Sequence, residues 1–194
     1  MAMQQEATKT RTSWTFDPAH TQVEFSVKHM MVTTVRGHFA DVSGRILGEI
    51  DDPTNAQVDV TIQAASIETR NQDRETHLKS ADFLDVEKYP TITFKSKQIQ
   101  QVSKNHFHVY GDLTIKGVTK EVELDAAING VGKSPWGQEV VGITAETVLT
   151  RQDYGLTWNV ALESGGVLVG NTVKVSAEIE AIKQATDQTQ NAAG

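Results

Sequence analysis

Apolar and polar residues alternate along most of the chain with a period of two. Val23, Phe25 and Val27, for example, are separated by the polar residues Glu24 and Ser26. This period is typical of a β-strand that buries one of its faces. The same alternation occurs at residues 58–62, 92–94, 113–115, 122–128, 141–145 and 173–179. Together with the run at residues 37–50, the pattern predicts about eight strands.

Three segments join strands or depart from the alternation. Residues 71–80 are charged, contain no proline or glycine and are rich in helix formers, which predicts a short helix. Residues 153–170 are irregular and long enough to carry a function or to be partly helical. Lys116 and Gly117 predict a tight hairpin turn, because glycine tolerates a positive φ.

The alternating runs are evenly spaced from Trp14 to Lys183, which indicates one domain over residues 13–183. Residues 1–12 and 184–194 are polar and are predicted to form a disordered arm and a disordered tail. About eight antiparallel strands can stack as a sandwich or close into a barrel, and closure removes free sheet edges. We therefore predict an all-β fold with short helices, built as an antiparallel barrel.

Charge and composition narrow the classes of partner. The formal net charge is -7, whereas a nucleic-acid partner requires a basic face. The chain has no cysteine, which excludes disulfides, cysteine zinc sites and thiol chemistry. No apolar run approaches the ~20 residues of a membrane span, so we predict that this is not an integral membrane protein. Residues 1–13 lack the apolar stretch of a secretion signal. This favours a cytoplasmic location, or a periplasmic one if a leader was removed.

The apolar face of the predicted barrel has two interpretations. An eight-stranded barrel is just wide enough to be filled by side chains or to hold one small ligand. Phe25, Val60, Ile62, Phe94 and Leu113 could form a packed core or line a ligand tunnel. Periodicity leaves both open, because a dry core and a lipid pocket need the same side chains.

Four segments, in this order and spacing, resemble a known family. They are FSVKH with VRGHF within residues 25–39, ASIET with RETHLKSADFLD within 65–85, YPTITFKS with GDLTIKGVT within 89–119, and RQDYG at 151–155 before the strand at 173–180. The chain resembles the YceI-like family of bacterial polyisoprenoid-binding proteins, and the resemblance extends from about Trp14 to Lys183.

The resemblance implies a lipocalin-like barrel, often dimeric, with a long isoprenoid threaded through an elongated apolar cavity. It implies binding, storage or transport of a polyprenyl phosphate or a prenylated quinone, and it leads us to expect a homodimer. A fold does not by itself establish a role. Two alternatives therefore stay open: a small-molecule hydrolase with polar residues inside the same barrel, and a stress-related interaction protein without a native ligand.

An isoprenoid tail would contact inward side chains, and a charged head would need donors at the barrel mouth. Candidates for contact with the tail are Phe25, Val27, Val60, Ile62, Phe83, Leu84, Phe94, Leu113, Ile115, Ile143 and Trp158. Candidates for contact with the head are His29, Arg36, Arg74 and His77. Each has a structural alternative: Arg74 could belong to a solvated helix face, His29 could be a structural histidine, and Trp158 could simply pack.

Other motifs predict structure rather than chemistry. Arg151 and Asp153 are predicted to form an internal ion pair that pins the irregular segment after them. Residues 127–134 (AINGVGKS) resemble a phosphate-binding loop, but a proline and then a strand follow instead of the required helix. His106 and His108 do not complete a zinc site. Since no nucleophile elbow or metalloprotease motif is present, we predict no catalytic residue, metal or cofactor.

Overall fold

The computed structural model describes residues 11–185, so most of the predicted arm and tail lies outside the described residues. Thr12 already joins the barrel, because its carbonyl accepts a hydrogen bond from the Gly48 N–H at 2.8 Å. The described residues form eleven strands: β1 (Ser13–Phe16), β2 (Gln22–His29), β3 (Thr33–Phe39), β4 (Val42–Glu49), β5 (Asp52–Gln63), β6 (Ile67–Glu68), β7 (Thr91–Gln101), β8 (His106–Ile115), β9 (Val118–Lys133), β10 (Glu139–Thr150) and β11 (Val169–Lys183).

The helices are short. One α-helix, α1 (Gln72–Lys79), confirms the helix predicted at residues 71–80, and 3₁₀ turns lie at Pro18–His20, Ala64–Ser66 and Arg151–Tyr154. Asn71 caps α1, because its Oδ1 accepts a hydrogen bond from the Arg74 N–H at 2.9 Å. Within residues 11–185, no helix is long and apolar enough to cross a bilayer.

Closure of the sheet depends on β1. All pairings are antiparallel, and β1 pairs with β4 on one side and with β11 on the other. This closes a ring of eight strands in the order β1, β4, β5, β7, β8, β9, β10, β11. β2 continues along β11 beyond β1, and β3 and β6 follow β2. The predicted antiparallel barrel of about eight strands is therefore confirmed.

The strands β8 and β9 form the predicted hairpin. Ile115 pairs with Val118, so Lys116 and Gly117 are the two turn residues. Their φ angles are 50° and 73°, and a two-residue turn with both φ angles positive matches the right-handed twist of the strands it joins.

Side chains fill the end of the barrel at which β1 closes the ring, which we call the packed end. Trp14 and Phe16 of β1 are each 4% exposed and pack with Ile46, Val141 and Ala181. A second cluster beside them contains Phe94, Ile99, Phe107, Val109 and Ala126. Large aromatic side chains from facing strands thus occupy the interior there.

A glycine makes room for one of these aromatic rings. A Cβ atom added at Gly44 would lie 2.4 Å from a ring carbon of Phe16, which real Cβ atoms do not approach so closely. Gly44 lies on β4, next to β1 in the ring. The absence of a side chain at Gly44 lets the Phe16 ring pack directly against β4.

We predict that Gly44→Ala lowers the free energy of unfolding by about 1–3 kcal/mol, because overpacking forces the Phe16 ring to move. Gly130→Ala is the matched control, since a Cβ atom at Gly130 meets nothing within 4 Å. Urea unfolding of both variants measures the difference. Equal stability of the two variants would contradict this account of the packed end.

Candidate functional site

The other end of the barrel contains a cavity of about 180 Å³. Well-packed protein cores rarely contain voids larger than a water molecule, and one water needs only ~10–15 Å³ of such volume. The side chains therefore do not fill this end, which we call the cavity end. The wall consists of Val23, Phe25, Val27, Phe39, Ile62, Ile67, Leu78, Phe83, Leu84, Ile92, Leu113, Ile115, Leu149, Arg151, Tyr154, Leu156, Val169, Val173 and Val175.

The alternation of β2 accounts for one side of this wall. Val23, Phe25 and Val27 share the inner face of the strand and lie opposite Ala177, Val175 and Val173 of β11. On the other side of β2, Phe25 pairs with Gly37 of β3. A Cβ atom at Gly37 would lie 2.5 Å from the Phe25 ring, so glycine is required for the ring to occupy this position.

Wall residues from outside the strands cover the cavity end. Leu78 comes from α1, Phe83 and Leu84 from the segment after it, and Leu156 from residues 155–168, which we call the roof loop. Trp158 of the roof loop packs against this cover, with its ring centroid 4.5 Å from that of His77 and 5.5 Å from that of Phe83. The irregular segment predicted to carry function thus contributes to the cavity.

The structure brings most of the predicted tail-contact residues to one cavity. The wall includes Phe25, Val27, Ile62, Phe83, Leu84, Leu113 and Ile115. Val60, Phe94 and Ile143 share the inward face but lie in or against the clusters of the packed end. Trp158 lies behind Phe83 rather than in the wall. Contact of any of these residues with a ligand stays a prediction.

The four predicted head-contact residues do not converge. Arg36 pairs with Ser26 and is exposed on the outer face of β3, since the inner face carries Gly37 and Phe39. His77 lies beside the wall, but its Nε2 is 2.8 Å from Oδ2 of Asp82. Arg74 is half-buried on α1, and His29 lies at the end of β2 opposite Val169.

The wall contains a buried cation that the sequence pattern did not identify as part of the site. Arg151 is 5% exposed, and its guanidinium donates hydrogen bonds only to backbone carbonyls within the described residues. The acceptors are Leu156 (2.5 Å), Trp158 (3.0 Å), Val169 (3.3 Å) and Gly170 (2.9 Å). The predicted ion pair with Asp153 is wrong, because the guanidinium turns inward while Asp153 is exposed.

These hydrogen bonds fix the roof loop. Leu156 and Trp158 lie at its start, and Val169 and Gly170 directly follow its end. Asn159 adds a second link, since its Nδ2 donates to the Val169 carbonyl at 2.7 Å and its Oδ1 accepts from the Val169 N–H at 3.0 Å. Burial lowers the pKa of the Arg151 guanidinium, which still stays protonated at neutral pH.

Tyr154 is the second polar side chain of the wall. It is 3% exposed, and its hydroxyl has no hydrogen-bond partner in the part of the chain that the structure describes. Burial raises the pKa of Tyr154 to about 12, so the phenol is neutral at physiological pH. The RQDYG segment at residues 151–155 is the sequence feature that could have placed both residues in the site. Its Gly155 ends the 3₁₀ turn with a φ of 73°.

Groups that could hold a metal lie away from the cavity. Among the described residues, Asp17, His20 and Glu180 form the one such group, and His20 is exposed at the outer surface. The side-chain hydrogen bond to His20 lowers the pKa of Asp17. His108, one of the two paired histidines, has its Nδ1 2.7 Å from Oε1 of Glu123. None of these residues belongs to the wall.

Comparison with known proteins gives the family. The model of the YceI-like domain matches residues 14–181. The chain belongs to the YceI-like family. Among YceI-like relatives, it is 41% identical over 170 residues to UPF0312 protein SA2479 of Staphylococcus aureus (strain N315), with 87% of this chain and 96% of that protein covered.

Solved structures share the fold of this YceI-like chain. The YCEI protein of Campylobacter jejuni is 32% identical, with a TM-score of 0.68, over 81% of this chain and 90% of that one. A polyisoprenoid binding domain from Saccharophagus degradans is 14% identical, with a TM-score of 0.67, over 88% and 98% of the two chains. At that identity, the second likeness supports the fold alone.

We predict that Arg151→Met lowers the free energy of unfolding of this YceI-like barrel by about 3 kcal/mol or more, because buried carbonyls lose their donors. Hydrogen exchange at the roof loop should also become faster. Arg45→Met is the control, since Arg45 is exposed and 3.8 Å from Asp59, and exposed pairs contribute ~0–1 kcal/mol. Similar small losses in both variants would show that Arg151 does not hold the loop.

Proposed function

We propose that this YceI-like protein binds an isoprenoid lipid, such as a polyprenyl phosphate or a prenylated quinone, and stores or transports it. The observation that carries the proposal is the unfilled apolar cavity at one end of a closed barrel. A barrel with no ligand to hold would gain stability by filling this space. The resemblance to the YceI-like family suggests the ligand class, and the Saccharophagus degradans domain, described as polyisoprenoid binding, shares the fold.

The tail of such a ligand supplies most of the binding free energy. Each buried CH₂ group contributes ~0.8 kcal/mol, from which the cost of ordering the chain and the side chains is subtracted. The strands present only aliphatic and phenyl groups to the cavity, and such groups do not distinguish between apolar chains of similar width. We therefore expect loose selectivity for the chain and expect the head group to decide between ligands.

The composition of the wall favours binding over catalysis. Within the described residues, the wall includes no carboxylate and no imidazole. Its polar side chains are Arg151, which stays charged, and Tyr154, whose pKa is raised to about 12. Neither group accepts a proton at neutral pH, and general base catalysis needs a group with a pKa near the working pH. This counts against the hydrolase alternative, and the unfilled cavity counts against a protein without a ligand.

The homodimer and the cytoplasmic location stay predictions. Among the described residues, one surface feature is consistent with a homodimer. Met30, Met31 and Val32 form an exposed apolar turn between β2 and β3, and apolar side chains grouped on a surface are typical of contact with another molecule. Sedimentation of the purified protein measures the oligomeric state directly.

We predict that Val173→Trp abolishes lipid binding, because Val173 belongs to the wall and the indole would occupy the cavity. Val148→Trp is the matched control: Val148 is 61% exposed, beside the wall residue Leu149 of the same strand, so its side chain faces outward. Mass spectrometry of an organic extract from detergent-free protein should find a stoichiometric isoprenoid species with the wild type and with the control only.

Native mass spectrometry with added geranylgeraniol gives the same comparison for protein stripped of lipid. Circular dichroism checks that both variants fold. A folded Val173→Trp variant that still binds geranylgeraniol as the wild type does would refute the cavity as the binding site. A wild type that neither retains an isoprenoid nor binds geranylgeraniol would refute the proposed function.

A further inference from the structure

The turn between β2 and β3 combines a strained backbone with large apolar side chains. The Val32 N–H donates a hydrogen bond to the His29 carbonyl at 3.1 Å. The two residues between them, Met30 and Met31, have φ angles of 51° and 62°. A turn with two positive φ angles favours asparagine followed by glycine, and bulky side chains are disfavoured there. Backbone strain of this kind is concentrated at functional sites, so two methionines in this turn require an explanation.

The side chains of this turn are exposed and have an apolar neighbour in the roof loop. Met30, Met31 and Val32 are 45%, 60% and 76% exposed, and Val160 of the roof loop is 46% exposed. The Met30 N–H donates to the Leu168 carbonyl at 2.8 Å, and the Leu168 N–H donates to the Val160 carbonyl at 2.9 Å. These bonds place the turn beside the roof loop. We call Met30, Met31, Val32 and Val160 the tip patch.

The tip patch borders the cavity end of the barrel. His29, the last residue of β2, pairs with Val169, which belongs to the cavity wall. The side chain of Met31 contacts the roof loop, since its Cγ lies 3.4 Å from the position of a Cβ atom added at Gly166. The tip patch is therefore on the outer surface of the segments that enclose the cavity.

Three cations lie directly behind the tip patch. Lys28 is on the outer face of β2, two residues before the turn, and Arg36 and Lys174 are in the next row of that face. All three are exposed, and none forms an ion pair within residues 11–185. Glu24 and Glu146 are one row farther from the turn. We call Lys28, Arg36 and Lys174 the basic face, which is locally cationic although the net charge of the chain is -7.

We propose that the tip patch inserts into the surface of an anionic lipid bilayer, with the basic face against the headgroups, and that the cavity exchanges its lipid there. The proposal rests on the proposed function, because it names the source of the bound lipid. An isoprenoid chain is strongly excluded from water, so a bilayer is the reservoir from which the protein takes it. Contact at the cavity end shortens the path between bilayer and cavity.

The size and charge of the surface favour a bilayer over a second protein. A stable protein interface takes ~20–30 residues from each partner, whereas the tip patch has four. Peripheral binding to a bilayer combines a small inserted apolar area with the attraction of nearby cations to anionic lipids. The roof loop carries one carboxylate, Glu163, against the three cations of the basic face.

The test replaces the two methionines with the residues that this turn prefers. The double substitution Met30→Asn with Met31→Gly removes both apolar side chains and relieves the backbone strain, so we expect it to fold at least as stably as the wild type. Thermal unfolding checks this point. Trp136→Gln is the matched control: Trp136 is 84% exposed in the β9–β10 turn, just before Val141 of the packed end. Tryptophan is also typical of membrane interfaces, which makes it the competing candidate for insertion.

Co-sedimentation measures the Kd for vesicles of phosphatidylcholine alone and of equal parts phosphatidylcholine and phosphatidylglycerol. We expect the wild type to bind the anionic vesicles at least about ten-fold more tightly than the neutral ones, because each cation near the surface adds to the attraction. The double substitution should weaken binding to the anionic vesicles about ten-fold or more, since two apolar side chains no longer leave water. Trp136→Gln should leave this Kd unchanged. Native mass spectrometry should find geranylgeraniol bound to all three proteins.

The other outcomes separate this inference from the proposed function. If the wild type binds geranylgeraniol but not anionic vesicles, or if the double substitution binds vesicles as the wild type does, the docking surface is overturned and lipid binding stands. Loss of vesicle binding in Trp136→Gln alone would move the contact to the packed end and overturn the proposal. The same holds if no vesicles bind and the double substitution converts a dimer into a monomer in sedimentation, because a second copy then covers the patch. Vesicle binding without geranylgeraniol binding would support the docking surface and refute the proposed function.

Discussion

The pairing of one four-residue strand on both of its edges is the constraint on which this barrel depends. Without β1, the edges of β4 and β11 would expose unpaired backbone groups, which are costly when buried and promote association when exposed. The same strand also fills the interior, because Trp14 and Phe16 both face inward and are almost fully buried. The same strand therefore both closes the ring and fills the core at the packed end.

The cavity persists because the cavity end is stabilised by different interactions from those of the packed end. There β2 and β3 continue the sheet along β11, and the inward residues Val23 and Val27 of β2 are smaller than the aromatic groups of the packed end. The roof loop is attached mainly through polar hydrogen bonds from Arg151 and Asn159 to backbone carbonyls. Such bonds fix a loop in position without requiring apolar side chains to fill the space beneath it, so the cavity need not collapse.

Pattern and turn chemistry predicted the strands, the β8–β9 hairpin and helix α1, because each depends on local periodicity or on the φ preference of single residues. Alternation reports which face of a strand is buried but not how far along the barrel a residue lies. Ile62 therefore reached the cavity wall, whereas Phe94 joined the packed end. The partners of Arg151 were unpredictable for another reason: they are carbonyls of an irregular segment, and nearness in sequence suggested Asp153 instead.

The position of Arg151 links the barrel to the cover of the cavity. A long, flexible side chain loses rotamer freedom when it is fixed in one position, and that loss opposes folding. Here four backbone carbonyls already hold the guanidinium, so its entropy has been lost during folding. Because the same hydrogen bonds fix the roof loop, a change that frees the guanidinium would also release the cover of the cavity.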